Sequence, residues 1–163
     1  MVRHAIVVVL LPKIRQHNYI RFDHEGQMMT AREFLDQYRV AYSKAARLEA
    51  KLDQLKEDYG SVQGGIVYAS GKSGISKPTE QKVERVQAAF DKWANAQLDA
   101  VEIRQEIFEV INSIDDCKTA DVLWYRYLGL LTWEEVCDAV GLSWYTVHKM
   151  HRKGLELIEQ LIN

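Results

Sequence analysis

The residues best suited to chemistry lie near the C-terminal end of the chain, at residues 143–153. This stretch holds three Lys or Arg residues and two histidines but no acid. Lys and Arg side chains bind phosphates and guanine edges, and a serine that begins a helix offers a phosphate its hydroxyl and amide groups. The alternative is a solvated basic face whose two aromatic residues are buried against another part of the chain. The candidate DNA-contacting residues are Ser143, Trp144, Tyr145, Thr146, His148, Lys149, Arg152 and Lys153.

Two short helices joined by a tight turn are predicted to position these residues. Thr132 and Glu135 have the spacing of a capping box, which begins the first helix. Gly141 supplies a left-handed turn, and Ser143 caps a second helix two residues later. Because so short a link makes the helices cross, the pattern is that of a DNA-binding helix-turn-helix. The apolar residues expected at the crossing are Val136, Val140, Leu142, Val147 and Met150.

This part of the chain resembles a known DNA-binding module. Residues 125–136, read with Gly141-Leu142-Ser143 and Thr146-Val147, resemble region four of bacterial sigma factors. The same module occurs in RinA- and ArpU-like phage transcriptional regulators. The resemblance covers residues 115–162 and implies that the second helix binds double-stranded DNA. The chain departs from such modules after Arg152, where it has Lys153-Gly154, and in the aromatic start of its second helix.

Metal and disulfide chemistry are not expected. His148 and His151 are three residues apart, and no carboxylate or thiol within residues 143–153 completes a ligand set. We expect phosphate contact or solvent exposure for both histidines. Cys117 and Cys137 lack the spacing of a metal or redox motif and read as reduced apolar side chains. The sequence therefore predicts no metal and no cofactor.

A long helix is predicted to begin at Thr30, which forms a second capping box with Glu33. Its apolar residues recur at alternating spacings of four and three, which is a heptad seam typical of coiled coils. We expect this seam to support oligomerisation. Its members are Phe34, Tyr38, Ala41, Ala45, Leu48, Leu52 and Leu55.

A second long helix is predicted from Thr79 to about Asn112. The Gly- and Ser-rich residues 60–78 read as a loop that lets the two helices fold back antiparallel. Gly71-Lys72-Ser73 within this loop lacks the glycine spacing and the preceding strand of a phosphate-binding loop. The apolar stripe expected on the second helix is Val83, Val86, Phe90, Trp93, Leu98, Val101, Ile107, Val110 and Ile114.

Composition limits the cellular setting. The chain has 163 residues and a net charge of −2, so DNA affinity must come from a local patch. Residues 5–11 form an apolar run that is too short to span a bilayer and lacks a cleavage pattern, which favours a buried strand or an interaction segment. We therefore expect a protein without membrane contact, and the resemblance to phage regulators implies the cytoplasm of a bacterial host cell.

The sequence thus predicts an all-α protein: a long antiparallel coiled-coil helical hairpin followed by a C-terminal helix-turn-helix bundle. The expected parts are an N-terminal extension at 1–29, the oligomerising hairpin at 30–114 and the DNA-binding module at 115–163. No catalytic constellation is present, so we expect no enzyme.

The resemblance implies that the function is sequence-specific regulation of phage or prophage transcription. One alternative is the small subunit of a phage DNA-packaging terminase. Another is a protein-interaction module in which Trp144 and Tyr145 dock host RNA polymerase or a defence nuclease. The sequence leaves open the DNA site, the oligomeric state, and the choice between activation and repression.

Overall fold

The computed structural model describes the backbone of residues 29–66 and 77–162, and the side chains of 29–58 and 80–162. Within these residues all regular structure is helical and no strand occurs, which confirms the predicted all-α class. The apolar run at 5–11 and the Gly71-Lys72-Ser73 segment lie outside the described residues. The five α-helices are α1 (Ala31–Ile66), α2 (Lys77–Asn112), α3 (Cys117–Leu123), α4 (Trp133–Val140) and α5 (Trp144–Ile162), and a π-helical turn (Trp124–Leu128) continues α3.

The two long helices extend further than predicted. The helix α1 runs to Ile66 and α2 begins at Lys77, so the expected loop at 60–78 is wrong at both ends. Glycine inside a helix costs about 1 kcal/mol relative to alanine, but it does not prevent helical backbone angles, so glycines alone are a weak stop signal. None of the described helices is both long enough and apolar enough to cross a membrane.

The chain divides into two compact units whose boundaries differ from the predicted ones. One unit is Gln37–Glu106, and the other combines the described parts of Met1–Asp36 and Ile107–Asn163. The start of α1 and the end of α2 therefore belong with the C-terminal helices. Phe34, which was expected in the oligomerisation seam, lies fully buried in that unit. In the same unit the backbone amide of Ala31 donates to the Glu159 carboxylate across 2.6 Å.

Within Gln37–Glu106, the predicted seam of α1 is the covered face of that helix. Ala41, Ala45 and Leu52 are buried. The remaining seam residues, Tyr38, Leu48 and Leu55, are half-buried. The spacing of four and three thus identified the buried face of α1 correctly, and a single chain already covers it.

The apolar stripe of α2 is partly wrong. Four of its expected members are 43% to 62% exposed, namely Val83, Phe90, Leu98 and Val101. The other expected members are covered: Ile107, Val110 and Ile114 are buried, and Val86 and Trp93 are half-buried. The covered face also includes two small residues that were not expected, Ala96 and Ala100. Large apolar side chains were a poor predictor of the covered face of α2. Alanine lets helix backbones approach closely, whereas the four larger residues on another side of the helix remain in solvent.

The three C-terminal helices share one apolar cluster. Val122 of α3, Val136 of α4 and Val147 of α5 are each fully buried and pack together. All five apolar residues expected at the crossing of the two short helices belong to this cluster. Its half-buried members are Tyr125, Leu131, Trp133, Cys137, Val140, Leu142 and Met150.

We expect Leu52→Asp to lower the free energy of unfolding by about 3–5 kcal/mol, because it removes buried apolar surface and places a carboxylate at a site only 2% exposed. Gln54→Asp, on the exposed side of α1, is the matched control and should change stability by less than about 0.5 kcal/mol. Thermal unfolding followed by circular dichroism checks both. Equal melting temperatures for the two variants would contradict the buried seam.

We also expect Gly154→Ala to destabilise the protein by about 1–2 kcal/mol, although alanine is the better helix former. A Cβ at Gly154 would lie 2.7 Å from Cδ1 of Leu123 and 3.0 Å from Cγ2 of Thr119. In a Leu123→Ala background the same change should cost less, because the closest atom is gone. Chemical denaturation of the four proteins measures this coupling, and simple additivity of the two changes would refute the close contact.

Candidate nucleic-acid interface

The turn between α4 and α5 is set by local interactions. Glu135 accepts a hydrogen bond from the Thr132 amide at 2.8 Å, and the Glu135 amide donates to the Thr132 hydroxyl at 3.3 Å, which confirms the predicted capping box. The hydrogen bond from the Thr132 backbone amide, and then the one from the Thr132 hydroxyl to the same carboxylate at 2.9 Å, lower the pKa of Glu135. Gly141 ends α4 with φ of 65°, the left-handed angle that a residue without a Cβ adopts at low cost.

Ser143, the residue before α5, caps that helix. The Thr146 amide donates to the Ser143 hydroxyl oxygen at 3.4 Å, and the two hydroxyl oxygens are 2.9 Å apart. Ser143 remains exposed, whereas Thr146 is half-buried. Both residues were predicted to contact DNA, and in the structure they also hold the first turn of α5 in place.

One face of α5 presents aromatic and basic side chains to solvent. Trp144 is 51% exposed and Tyr145 is 73% exposed, while Val147, on the side opposite Tyr145, is fully buried. Lys149 and Arg152 are also exposed. Tyr145, Lys149 and Arg152 share one side of the helix, and Trp144 lies about 100° around the helix axis from Tyr145.

Lys153 differs from the other predicted cations because its charge has a partner. Its Nζ lies 2.6 Å from a carboxylate oxygen of Asp116. Asp116 also caps α3, accepting from the Thr119 hydroxyl at 3.0 Å and the Thr119 amide at 3.4 Å. The hydrogen bond from Lys153, followed by those from Thr119, lowers the pKa of Asp116 to about 2. Lys153 therefore joins α5 to α3 and is less available to a phosphate.

His148 is held in a row of rings. Its ring centroid lies 4.4 Å from that of Trp133 and 4.6 Å from that of Trp144. The guanidinium of Arg126 lies 4.7 Å from the centroid of Trp133 and so extends the row beyond that indole. His148 is half-buried, and its Nε2 has no hydrogen-bond partner among the described residues. The solvent exposure expected for His148 is therefore wrong, because its ring packs between two indoles, and its contact with a phosphate stays a prediction.

His151 is buried, with only 3% of its surface exposed, so the exposure predicted for it is wrong. A hydrogen bond of 2.9 Å joins its Nε2 to the hydroxyl of Tyr127, and its ring meets Trp133 edge-on at 4.8 Å. Burial, and then the positive charge of Arg32, lowers the pKa of His151 to about 4. Burial also raises the pKa of Tyr127. The sequence carried no signal for this pair, because the two residues are 24 positions apart.

The described residues offer no other kind of site at this surface. No group of three or more His, Cys, Asp or Glu side chains within them is placed to hold a metal ion. Cys117 is exposed and Cys137 half-buried, and both are free thiols. No protein-family model matches the chain, and comparison with curated proteins and with solved structures finds no similar protein.

The buried His151 predicts a pH dependence of stability. Its folded-state pKa of about 4 lies below the usual value of 6.5, so the unfolded chain binds this proton first as the pH falls. The stabilisation is complete above pH 6.5 and is lost progressively as the pH falls towards 4, by on the order of 2–3 kcal/mol. Denaturant unfolding of the parent and of His151→Gln between pH 7 and pH 4 measures the effect. The variant should show a flatter profile, and identical profiles would contradict the assignment.

Proposed function

We propose that the chain is a sequence-specific DNA-binding regulator of phage or prophage genes in the bacterial cytoplasm, in which α4 and α5 act as a helix-turn-helix. The observation that carries this proposal is the exposed face of α5, where Tyr145, Lys149 and Arg152 point into solvent on a segment that has no acid. A basic helix face without acids suits the phosphates that flank the major groove.

The way α5 is held supports this role. A helix that reads bases must be fixed to a rigid scaffold, because an error of about 1 Å weakens specific contacts. The valine cluster connects α5 to α3 and α4, and the Lys153–Asp116 ion pair adds a polar link to the start of α3. The three-residue link at 141–143 leaves little freedom between α4 and α5.

The outer residues divide by chemistry. Lys149 and Arg152 suit phosphate or guanine contacts, and the rings of Trp144 and Tyr145 suit thymine methyl groups or sugar edges. Because the chain as a whole carries a net charge of −2, nonspecific attraction to DNA is weak, and binding depends on this local face.

The long helices supply the second part of the proposal. We propose that α1 and α2 run antiparallel as a helical hairpin. The buried alanines of both helices, Ala41 and Ala45 on α1 and Ala96 and Ala100 on α2, support close packing of helix backbones. Because a single chain already covers the seam, its residues stabilise the hairpin. Homo-oligomerisation stays a prediction, which light scattering tests.

Two other functions have specific support. A terminase small subunit also combines a helix-turn-helix with long helices, and it would form rings of eight or more chains where a regulator forms dimers or tetramers. The exposure of Trp144 and Tyr145 also suits docking to a host protein such as RNA polymerase, in which case the chain would not bind DNA.

The salt dependence of DNA affinity tests the proposal. We expect Lys149→Ala and Arg152→Ala each to weaken duplex binding and to reduce the slope of log affinity against log salt by about one unit, as loss of one phosphate contact does. A side chain that reads a base should instead cost about 1–3 kcal/mol on the selected site alone. Fluorescence anisotropy on a duplex selected from a random library measures both effects.

Lys153→Ala is the matched control on the same helix, because its ammonium is already paired with Asp116. We expect it to change the slope by clearly less than either exposed cation does. Helicity by circular dichroism must be retained in all three variants. If Lys149→Ala and Arg152→Ala bind as the parent does, α5 is not the DNA-reading helix and the protein-docking function becomes the better account.

A further inference from the structure

Among the described residues of the C-terminal unit, the most exposed aromatic side chains lie at the start of α5. The indole of Trp144 packs against His148 with the two ring planes tilted by 44°, His148 packs in the same way against Trp133 at 40°, and Trp144 still exposes 51% of its surface. Tyr145, the next residue, is 73% exposed. A ring that is packed on one side and exposed on the other is already ordered before a ligand binds. Another flat ring can stack on it without the entropy cost of fixing the side chain.

Cations follow the tyrosine along the same side of the helix. Lys149 lies four residues and Arg152 seven residues after Tyr145, which places them about 6 Å and 10 Å further along the helix axis, on the same side. Both are exposed. Aromatic rings beside cations are the combination that binds single strands, because bases stack on the rings and phosphates pair with the charges.

The bases of an intact duplex cannot stack on these exposed rings. In the major groove of an intact duplex each base presents only its edge, since its two faces are covered by neighbouring bases. Two adjacent rings can reach methyl groups and sugars there, but their faces find no flat partner. An unpaired base does offer its face, and stacking on it is largely independent of base identity.

We propose that Trp144 and Tyr145 bind unpaired bases by stacking, with Lys149 and Arg152 holding the adjoining phosphates, so that the chain prefers locally melted DNA to uniform duplex. This inference rests on the proposed function, because both use the outer face of α5. It adds that the ligand is a duplex with an unpaired segment.

Three fluorescein-labelled probes of the sequence selected from the random library test this inference: a full duplex, the same duplex with a central unpaired bubble, and the single strand. Anisotropy gives the dissociation constants for the full-length chain. We expect the parent to bind the bubble at least about tenfold more tightly than the duplex. Trp144→Ala and Tyr145→Ala should each weaken bubble binding by about 5- to 150-fold, the range for loss of one stacked base, and duplex binding much less.

Conservative and remote variants separate stacking from structural effects. Trp144→Phe and Tyr145→Phe keep an aromatic face and should retain most of the preference for the bubble. Leu161→Ala removes an apolar side chain of similar exposure, 47%, near the other end of α5, and should leave all three affinities unchanged. Quenching of tryptophan fluorescence by an unlabelled bubble should fall in Trp144→Phe if this indole contacts the bases.

The outcomes distinguish the two proposals. Equal affinity of the parent for duplex and bubble overturns the stacking inference, and the proposed function stands if duplex binding still depends on Lys149 and Arg152. Equal losses on duplex and bubble in the alanine variants also overturn it. If none of the three probes binds, both proposals fail, and Trp144 and Tyr145 are then better explained as a contact for a protein partner.

Discussion

The packing of three valines controls the arrangement of the C-terminal helices. Val122, Val136 and Val147 each come from a different helix, and all three are fully buried. The helices α3 and α4 have only seven and eight residues, too few to be stable in isolation, so tertiary packing must hold them. Because Val147 anchors the first half of α5, this contact also decides which side chains of that helix reach solvent.

That anchoring divides the polar residues of α5 into two groups. His151 turns inward to Tyr127, His148 is held between two indoles, and Lys153 is paired with Asp116. Lys149 and Arg152 remain exposed on the outer side. Polar residues that looked equivalent in the sequence therefore have different roles. Some fix α5 to its neighbours, and others are exposed on its surface.

The inward-facing residues of α5 hold the outward-facing residues in defined positions. His151 is neutral at neutral pH because burial lowers its pKa, so it contributes no charge to the surface that surrounds it. The tilted ring contacts among Trp133, His148 and Trp144 hold the exposed indole against the helices behind it. A chain with a net charge of −2 thus presents a small basic and aromatic face of defined shape, which suits selective contact better than general attraction to nucleic acid.

The sequence by itself determined the features that arise from neighbouring residues: the all-helical class, the capping boxes at Thr30 and Thr132, the left-handed turn at Gly141 and the buried face of α1. Interactions over three or four positions leave a direct trace in residue order. Tertiary structure alone decided the burial of His151, the pairing of Lys153 with Asp116 and the covered face of α2. Each of these depends on which surfaces of separate helices meet, and so on residues that are distant along the chain.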